Sequence, residues 1–506
     1  MNLKSLLTLT LGMAVAAMPA AAQKSADTLR IVERNAVTNI DPYYNQLRSG
    51  LVLAHQAWDG LVYRDPDTFQ PKPLLATEWK IVDDLTIEFK LRQGVKFHNG
   101  DPFTADDVVY TLNTVSAADS KVSTPSNSNW IETVEKIDDF AVRVKLKKPT
   151  PAALEYFAMV LPIYPKAYRE KVGAEGYAKA PVGAGPYKIT KVDAGQVDFV
   201  RFDDYWAGSP RGKPAIGKLQ VRFVPDAATE MTELLAGRAD FIWGFNPDQF
   251  DGVNRMPPLK ASRQESMRVG FLRLETGGTS DAAKPLANVK VRQAIFHAID
   301  RQQIADLLVQ GGSRVPAAPC FPSQFGCDAD AAVRYPYDPA KAKQLLAEAG
   351  YPNGFETEIA SYVLPQWGAS VQAFLGAVGI KAKLTQLQVQ ALIQRCGIKG
   401  ECPMDLGSWG SYSINDVSAM LPVYFGGQPA TDHARDPEII KLIEAGGTTM
   451  DPEKRKVAYS TAIKLAMERA YWVPLHTYVT TYGMSKTLDL KTQADELPRF
   501  WLAKWQ

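Results

Sequence analysis

The chain is poor in cysteine, poor in histidine and almost without net charge. Of 506 residues four are cysteines and five are histidines, and 57 basic side chains face 55 acidic ones, leaving +2. Near-neutrality without a long basic run gives no electrostatic footprint for nucleic acid or an anionic membrane. The histidines (His55, His98, His297, His433, His476) are scattered, and no two stand at the close spacing of a helical metal site. A nucleophile elbow is missing, since Gly407-Ser408-Trp409-Gly410 fails the G-x-S-x-G pattern. The acid pairs Asp83-Asp84, Asp106-Asp107 and Asp203-Asp204 are adjacent, so the members of each do not share a face. A glycosidase-like couple of distant carboxylates is the one enzymatic arrangement that spacing leaves open. There is no Walker A sequence, no fixed-period repeat and no low-complexity linker. The expectation is a chain with no catalytic residues, no metal and no cofactor.

What is present is ordinary for a globular protein: 46% hydrophobic and 22% charged residues. At about 150 residues per domain the length suits two to four domains. Met1–Ala22 reads as a secretory signal, with Lys4 in the n-region, an apolar stretch from Leu6 to Met18, and Ala20-Ala21-Ala22 as a small-residue cleavage site. No cysteine follows that site, so a lipid anchor is not expected. The later apolar run Ala152–Pro165 is short and interrupted, against about 20 residues for a membrane span. An exported, non-spanning protein follows. In an oxidising compartment Cys320/Cys327 and Cys396/Cys402 are most simply two local disulfides. Neither pair has C-x2-C zinc spacing, and the cross pairing stays open at this level.

Strands and helices alternate. Leu85, Ile87, Phe89 and Leu91 face one way and Thr86, Glu88 and Lys90 the other; Phe140–Leu146 and Leu219–Phe223 repeat this period. Thr104 with Asp107 forms a capping-box pattern. Asp338-Pro339, Asp436-Pro437 and Asp451-Pro452 each place a capping carboxylate before a proline at the first helical position. The first of these helices stops at Gly350, and a longer one is expected over about 289–310. The result is an α/β chain of closely joined domains.

Eight local motifs in order then resemble one family. They are Asn39-Ile40-Asp41-Pro42, Trp58-Asp59-Gly60-Leu61-Val62, the long stretch Leu91–Val108 (LRQGVKFHNGDPFTADDV), Pro181–Tyr187 (PVGAGPY), Asp204-Tyr205-Trp206, Val291–Ile295 (VRQAI), Ala298–Arg301 (AIDR) and Leu345–Pro352 (LLAEAGYP). Together they resemble the extracellular solute-binding proteins, family 5, of peptide, nickel and related ABC importers. The resemblance implies a two-lobed periplasmic binding protein fold (type II, with an extra inserted subdomain) and a ligand cleft between the lobes. It implies lobe I over 23–59, 184–265 and 480–506, an inserted subdomain over 60–183, and lobe II over 266–479. The chain then crosses between lobes near Met267–Leu274 and Leu475–Tyr482, as a hinge requires. A periplasmic monomer is expected, serving a membrane permease with ATPase subunits and capturing a small peptide or peptide-like solute; an opine or sugar-type acid is the alternative. Outside that class stand a secreted hydrolase and a sensory co-receptor.

The family builds its cleft from three segments, here Tyr43–Ser49, Ser361–Trp367 and Ser408–Asp416. The resemblance nominates Tyr44, Arg48, Gln366, Trp367, Trp409, Ser411, Tyr412, Asn415 and Asp416 as ligand-binding. In peptide-binding members an aspartate three residues after the tryptophan pairs with the peptide's ammonium. Tyr412 stands at that position, so Asp416 is the candidate replacement anchor, or else a cap for the helix that follows. Arg48 can fork onto a carboxylate or phosphate, or form an inter-domain ion pair. No histidine lies in the three segments. His98, inside the longest motif, reads as a structural hydrogen-bonding residue.

Overall fold

The computed structural model describes residues 27–37, 39–45, 47–277 and 280–506; the signal segment Met1–Ala22 lies outside them. Ten strands form one mixed sheet: β1 (Thr28–Glu33), β2 (Tyr187–Asp193), β3 (Gln196–Arg201), β4 (Lys218–Phe223), β5 (Phe241–Trp243), β6 (Leu259–Leu274), β7 (Phe355–Ser361), β8 (Ile380–Gln386), β9 (Met404–Trp409) and β10 (Trp472–Ser485). Their order is β8-β7-β9-β6-β10-β5-β1-β4-β3-β2. The long antiparallel pair β6 and β10 thus lies at its middle. Two large apolar cores lie along the sheet. One gathers Leu29, Ile31, Leu219, Val221 and Phe241 with the 60–183 region, and the other gathers Phe271, Ile295, Ile359, Leu406 and Val473. The chain thus has two lobes, one around each core, joined through β6 and β10.

The joint is irregular. Ser266 pairs with Tyr478 and Val269 with Thr477, so Met267 and Arg268 form an insertion in β6. Such a bulge bends the strand and re-aims a side chain. The C-terminal segment crosses the same point, where the Met267 amide donates to the Ala494 carbonyl at 2.7 Å.

The period-2 segments are strands. Ile87, Phe89 and Leu91 are buried on Thr86–Leu91, within a separate four-stranded sheet with Ala76–Asp83, Ala141–Leu146 and Ile131–Asp138. The capping box at Thr104 and Asp107 is formed on both sides. Asp338, Asp436 and Asp451 each accept backbone N–H groups at the start of a helix that opens with proline. His98 locks a close approach of two segments: its Nδ1 accepts the Gly183 amide at 3.2 Å and its Nε2 donates to the Gly185 carbonyl at 2.9 Å. No described helix is long and apolar enough to cross a membrane.

One expectation is corrected. The helix over 289–310 is not continuous: Val289–Ala298 ends at extended Ile299, and Asp300 recaps the chain by accepting from the Gln303 amide. A short side chain that satisfies an orphan amide locally competes with helix continuation, which apolar periodicity does not register. The cysteines pair as Cys320–Cys327 and Cys396–Cys402.

Candidate functional site

A cavity of about 730 Å³ opens where the two lobes face each other across β6 and β10. That is within the range of pockets that enclose a small molecule, roughly 300–1,000 Å³. Lobe I contributes Arg48, Trp243 and Phe245, and lobe II contributes Tyr362 and Trp367. The crossing strands contribute Arg268, Tyr478 and Thr480, and the C-terminal segment adds Glu496. A second void, of about 50 Å³ between Tyr43, His55, Trp58 and Arg211, has room for water but not for a solute.

Charge concentrates at the floor of the cavity. Arg268, pushed out by the bulge, places Nη2 3.0 Å and Nε 3.3 Å from Glu496 Oε2. Arg48, the first residue of helix Arg48–Ala57, places Nη2 3.4 Å from the same oxygen. Thr480 Oγ1 donates to Glu496 Oε1 at 3.1 Å. Burial alone would raise the Glu496 carboxyl, but the charges of Arg268 and Arg48 outweigh it and hold it down at about 2. Glu496 is therefore ionised at neutral pH. The charged side chains lining the cavity are Glu33, Arg34, Arg48, Arg268 and Glu496, three cations against two anions. Arg34 is engaged by Glu230 at 3.2 Å, whereas at the floor two guanidiniums share the single Glu496 carboxylate and leave a local surplus of positive charge.

Of the nine nominated residues, Arg48 and Trp367 line this cavity. Trp367 stands edge-on to His476 and Tyr478, with ring centroids 4.6 and 5.0 Å away. Trp409 ends β9 opposite Val269 and packs on Tyr424, beside the bulge. Gln366 is half-buried in the first turn of helix Pro365–Ala377, outside the cavity lining. Tyr44 lines a different surface hollow, with Ala174 and Lys179. The side chain of Tyr412 lies outside the described residues.

The loop after Trp409 joins the lobes instead of standing free in the cleft. Ser411 and Ser413 hold left-handed backbone (φ 48° and 65°), a strained choice for residues with a Cβ. Tertiary contacts maintain it. Ser413 Oγ accepts from Arg48 Nη1 at 2.6 Å, its carbonyl accepts from Arg64, and Ile414 is fully buried in the lobe I core. Gln324 Nε2 donates to the Ile414 carbonyl at 2.9 Å and to Ser411 Oγ at 3.2 Å. The Asn415 amide donates to Glu155 Oε2 at 3.0 Å. Asp416 caps the turn at Ser418 and binds Arg455 Nη2 through both oxygens, at 2.8 and 2.9 Å. Both partners of that pair are buried, so the structure engages Asp416 within lobe II.

Sequence reading missed Arg268, Glu496 and Trp243. A weak signal existed for Arg268, an arginine in the mainly apolar crossing Met267–Leu274, but Arg273 in the same stretch carries it too. Glu496 sits in an aperiodic tail with no comparable mark.

Residues 70–431 match the bacterial extracellular solute-binding proteins, family 5 (middle). Among curated relatives, Heme-binding protein A of Haemophilus influenzae is 29% identical over 83% of this chain and 82% of its own. The glutathione-binding protein GsiB of Salmonella paratyphi A is 29% identical over 96% of this chain and 95% of its own. Among solved structures, the periplasmic binding protein DppA of Helicobacter pylori with the peptide STSA superposes with a TM-score of 0.82 at 25% identity, covering 94% of this chain and 98% of that one. MoaA from A. tumefacien R10 with mannopinic acid superposes with a TM-score of 0.81 at 25% identity, covering 95% and 100%. The match spans most of the sequence and the fold agrees with it, so this chain belongs to the bacterial extracellular solute-binding proteins of family 5.

Proposed function

We propose that the chain is the periplasmic substrate-binding component of an ABC importer, exported by the signal at Met1–Ala22 and acting as a monomer. It captures a small peptide or peptide-like solute between its lobes and presents it to a membrane permease with ATPase subunits. The lobe limits follow the crossings: 23–59, 184–265 and 480–506 with the 60–183 insertion on one side, and 266–479 on the other. One observation carries the reading. The cavity is bounded by both lobes and by the two strands that join them, so a bound solute has differential affinity for the closed arrangement, which is the requirement for ligand-driven closure. Trp243, Trp367 and Tyr478 supply apolar walls, and Arg48 and Arg268 supply polar anchors.

A second reading, a non-peptide organic acid, is favoured by the pairing of Asp416 with Arg455. That pairing leaves the third segment without a ready carboxylate for a peptide ammonium, whereas the surplus cation suits an acid. The test is mass spectrometry of the small molecule released when periplasm-purified protein is denatured, followed by tryptophan-fluorescence titration of the stripped protein. Peptides of two to five residues are expected, or a single acid under the second reading, with one-to-one saturation and a fluorescence change lost in Trp367→Phe or Trp243→Phe. Multiple turnover of the recovered molecule, or no saturable binding, would overturn the proposal.

A further inference from the structure

Glu496 can be set against three well-buried acids that pair with an arginine near the lobe junction; its contacts are not unusually long for the chain, since the buried pairs Arg211–Asp59 and Arg169–Asp41 stand at 3.2 and 3.5 Å. Arg455–Asp416, Arg273–Asp405 and Arg499–Asp495 close at 2.8, 2.7 and 2.7 Å, the normal length of a charge-assisted bond. Their side chains are at most 7% exposed. The two contacts to Glu496 are longer, 3.0 Å from Arg268 and 3.4 Å from Arg48, and these side chains are 11–21% exposed, toward the cavity. What sets the cleft pairs apart is therefore their accessibility from the cavity.

Geometry adds two points. The Nη2 atoms of Arg48 and Arg268 lie 3.1 and 3.3 Å from where a Cβ on Gly410 would sit, so both guanidiniums pack side by side against a glycine whose missing side chain gives them room. Glu496 itself has left-handed backbone (φ 56°), an unfavourable state for glutamate that directs its carboxylate between them. Two converging cations sharing one anion that is accessible from the cavity form a receptor for a carboxylate, already part-filled by the protein.

We propose that Glu496 is a resident counter-ion occupying the place of the solute's anionic group, and that the solute's carboxylate takes over Arg48 and Arg268 in exchange for it. The inference rests on the reading of the cleft as the solute site and names the solute class, a carboxylate-bearing molecule. No covalent change is involved. Glu496 keeps its charge and its Thr480 contact while the guanidiniums reorient. Because Arg268 belongs to the bulge between the lobes, the exchange also acts directly on the hinge.

The sign of one substitution tests this. The probes are the peptide Ser-Thr-Ser-Ala as free acid and as C-terminal amide, together with mannopinic acid, titrated calorimetrically into stripped full-length protein. Glu496→Gln removes the competitor and is expected to tighten binding of an acid threefold or more while lowering the stability of the empty protein. Glu496→Asp, which retains the charge, stays nearer wild type. Arg268→Gln and Arg48→Gln weaken the same acid at least tenfold, and amidation of the peptide does likewise in wild type. If an arginine variant fails to fold, Glu496→Gln and the acid–amide comparison still decide the matter. Weaker acid binding in Glu496→Gln, or equal affinity for acid and amide, overturns the exchange while leaving the solute-binding function standing. If no acid binds wild type and no anionic solute is recovered from the purified protein, the exchange falls together with the reading of the cleft.

Discussion

Replacing Asp416 separates a binding role from a structural one. Arg455 gives both contacts of its Nη2 to the Asp416 carboxylate, donates Nε to the Gly446 carbonyl at 3.1 Å, and lies over Phe325 at 4.5 Å. The two side chains are 6% and 7% exposed. Truncation to alanine leaves a guanidinium buried without its counter-charge, a loss of about 3–5 kcal/mol. It also removes the cap at Ser418, worth about 1 kcal/mol. Asp416→Asn keeps an oxygen for the cap and preserves the shape, so it is expected to lose only the charge contribution, about 3 kcal/mol. A chain with two large cores need not unfold in a single step. The assay is therefore native-state hydrogen exchange of helix Pro452–Glu468, which carries Arg455, alongside urea unfolding. The affinity ratio between a free-amine peptide and its N-acetyl form should stay within twofold of wild type. Full protection of that helix combined with selective loss of amine-bearing ligands would refute the reasoning and restore Asp416 as an ammonium anchor.

The pH profile has a specific contribution from Glu230. Burial, opposed by Arg34 and reinforced by Glu33, raises this carboxyl to about 8, well above its unfolded value of about 4.5. The folded state then binds more protons between those values, so stability falls as pH rises through that window. Glu230→Gln should flatten the decline and melt higher than wild type above pH 8; identical melting curves across pH 6–9 would exclude this. Each disulfide closes a short loop, with separations of 7 and 6 residues. Converting either pair to serine should cost about 2 kcal/mol by the loop-entropy relation. An unchanged denaturation midpoint in Cys396→Ser/Cys402→Ser would argue against it.

Much of the local structure was readable because its causes are local. Alternation marks Thr86–Leu91 and Lys218–Phe223, since residues two apart share a strand face. Asp-Pro pairs mark three helix starts because the cap and its amides lie within three residues of each other. The cysteine pairs lie close enough in sequence that local bonding was the simplest outcome. The break at Asp300 was missed for a related reason: a capping residue in the middle of an apolar period interrupts the helix without interrupting the pattern.

The site follows a different logic. Arg48 and Trp367 were nominated through the family resemblance, and both line the cavity. Arg268 and Glu496 are 228 residues apart and meet only because β6 bulges where the C-terminal segment crosses it. Asp416 could be nominated as an anchor from its position, but its partner Arg455 lies 39 residues on, and only packing brings them together. The sequence by itself thus determined much of the local secondary structure and the family, and it nominated one cavity-lining residue on each side, Arg48 and Trp367. The tertiary structure alone decided which charges are already paired and which still face the cavity, because long-range ion pairs leave no period in the chain.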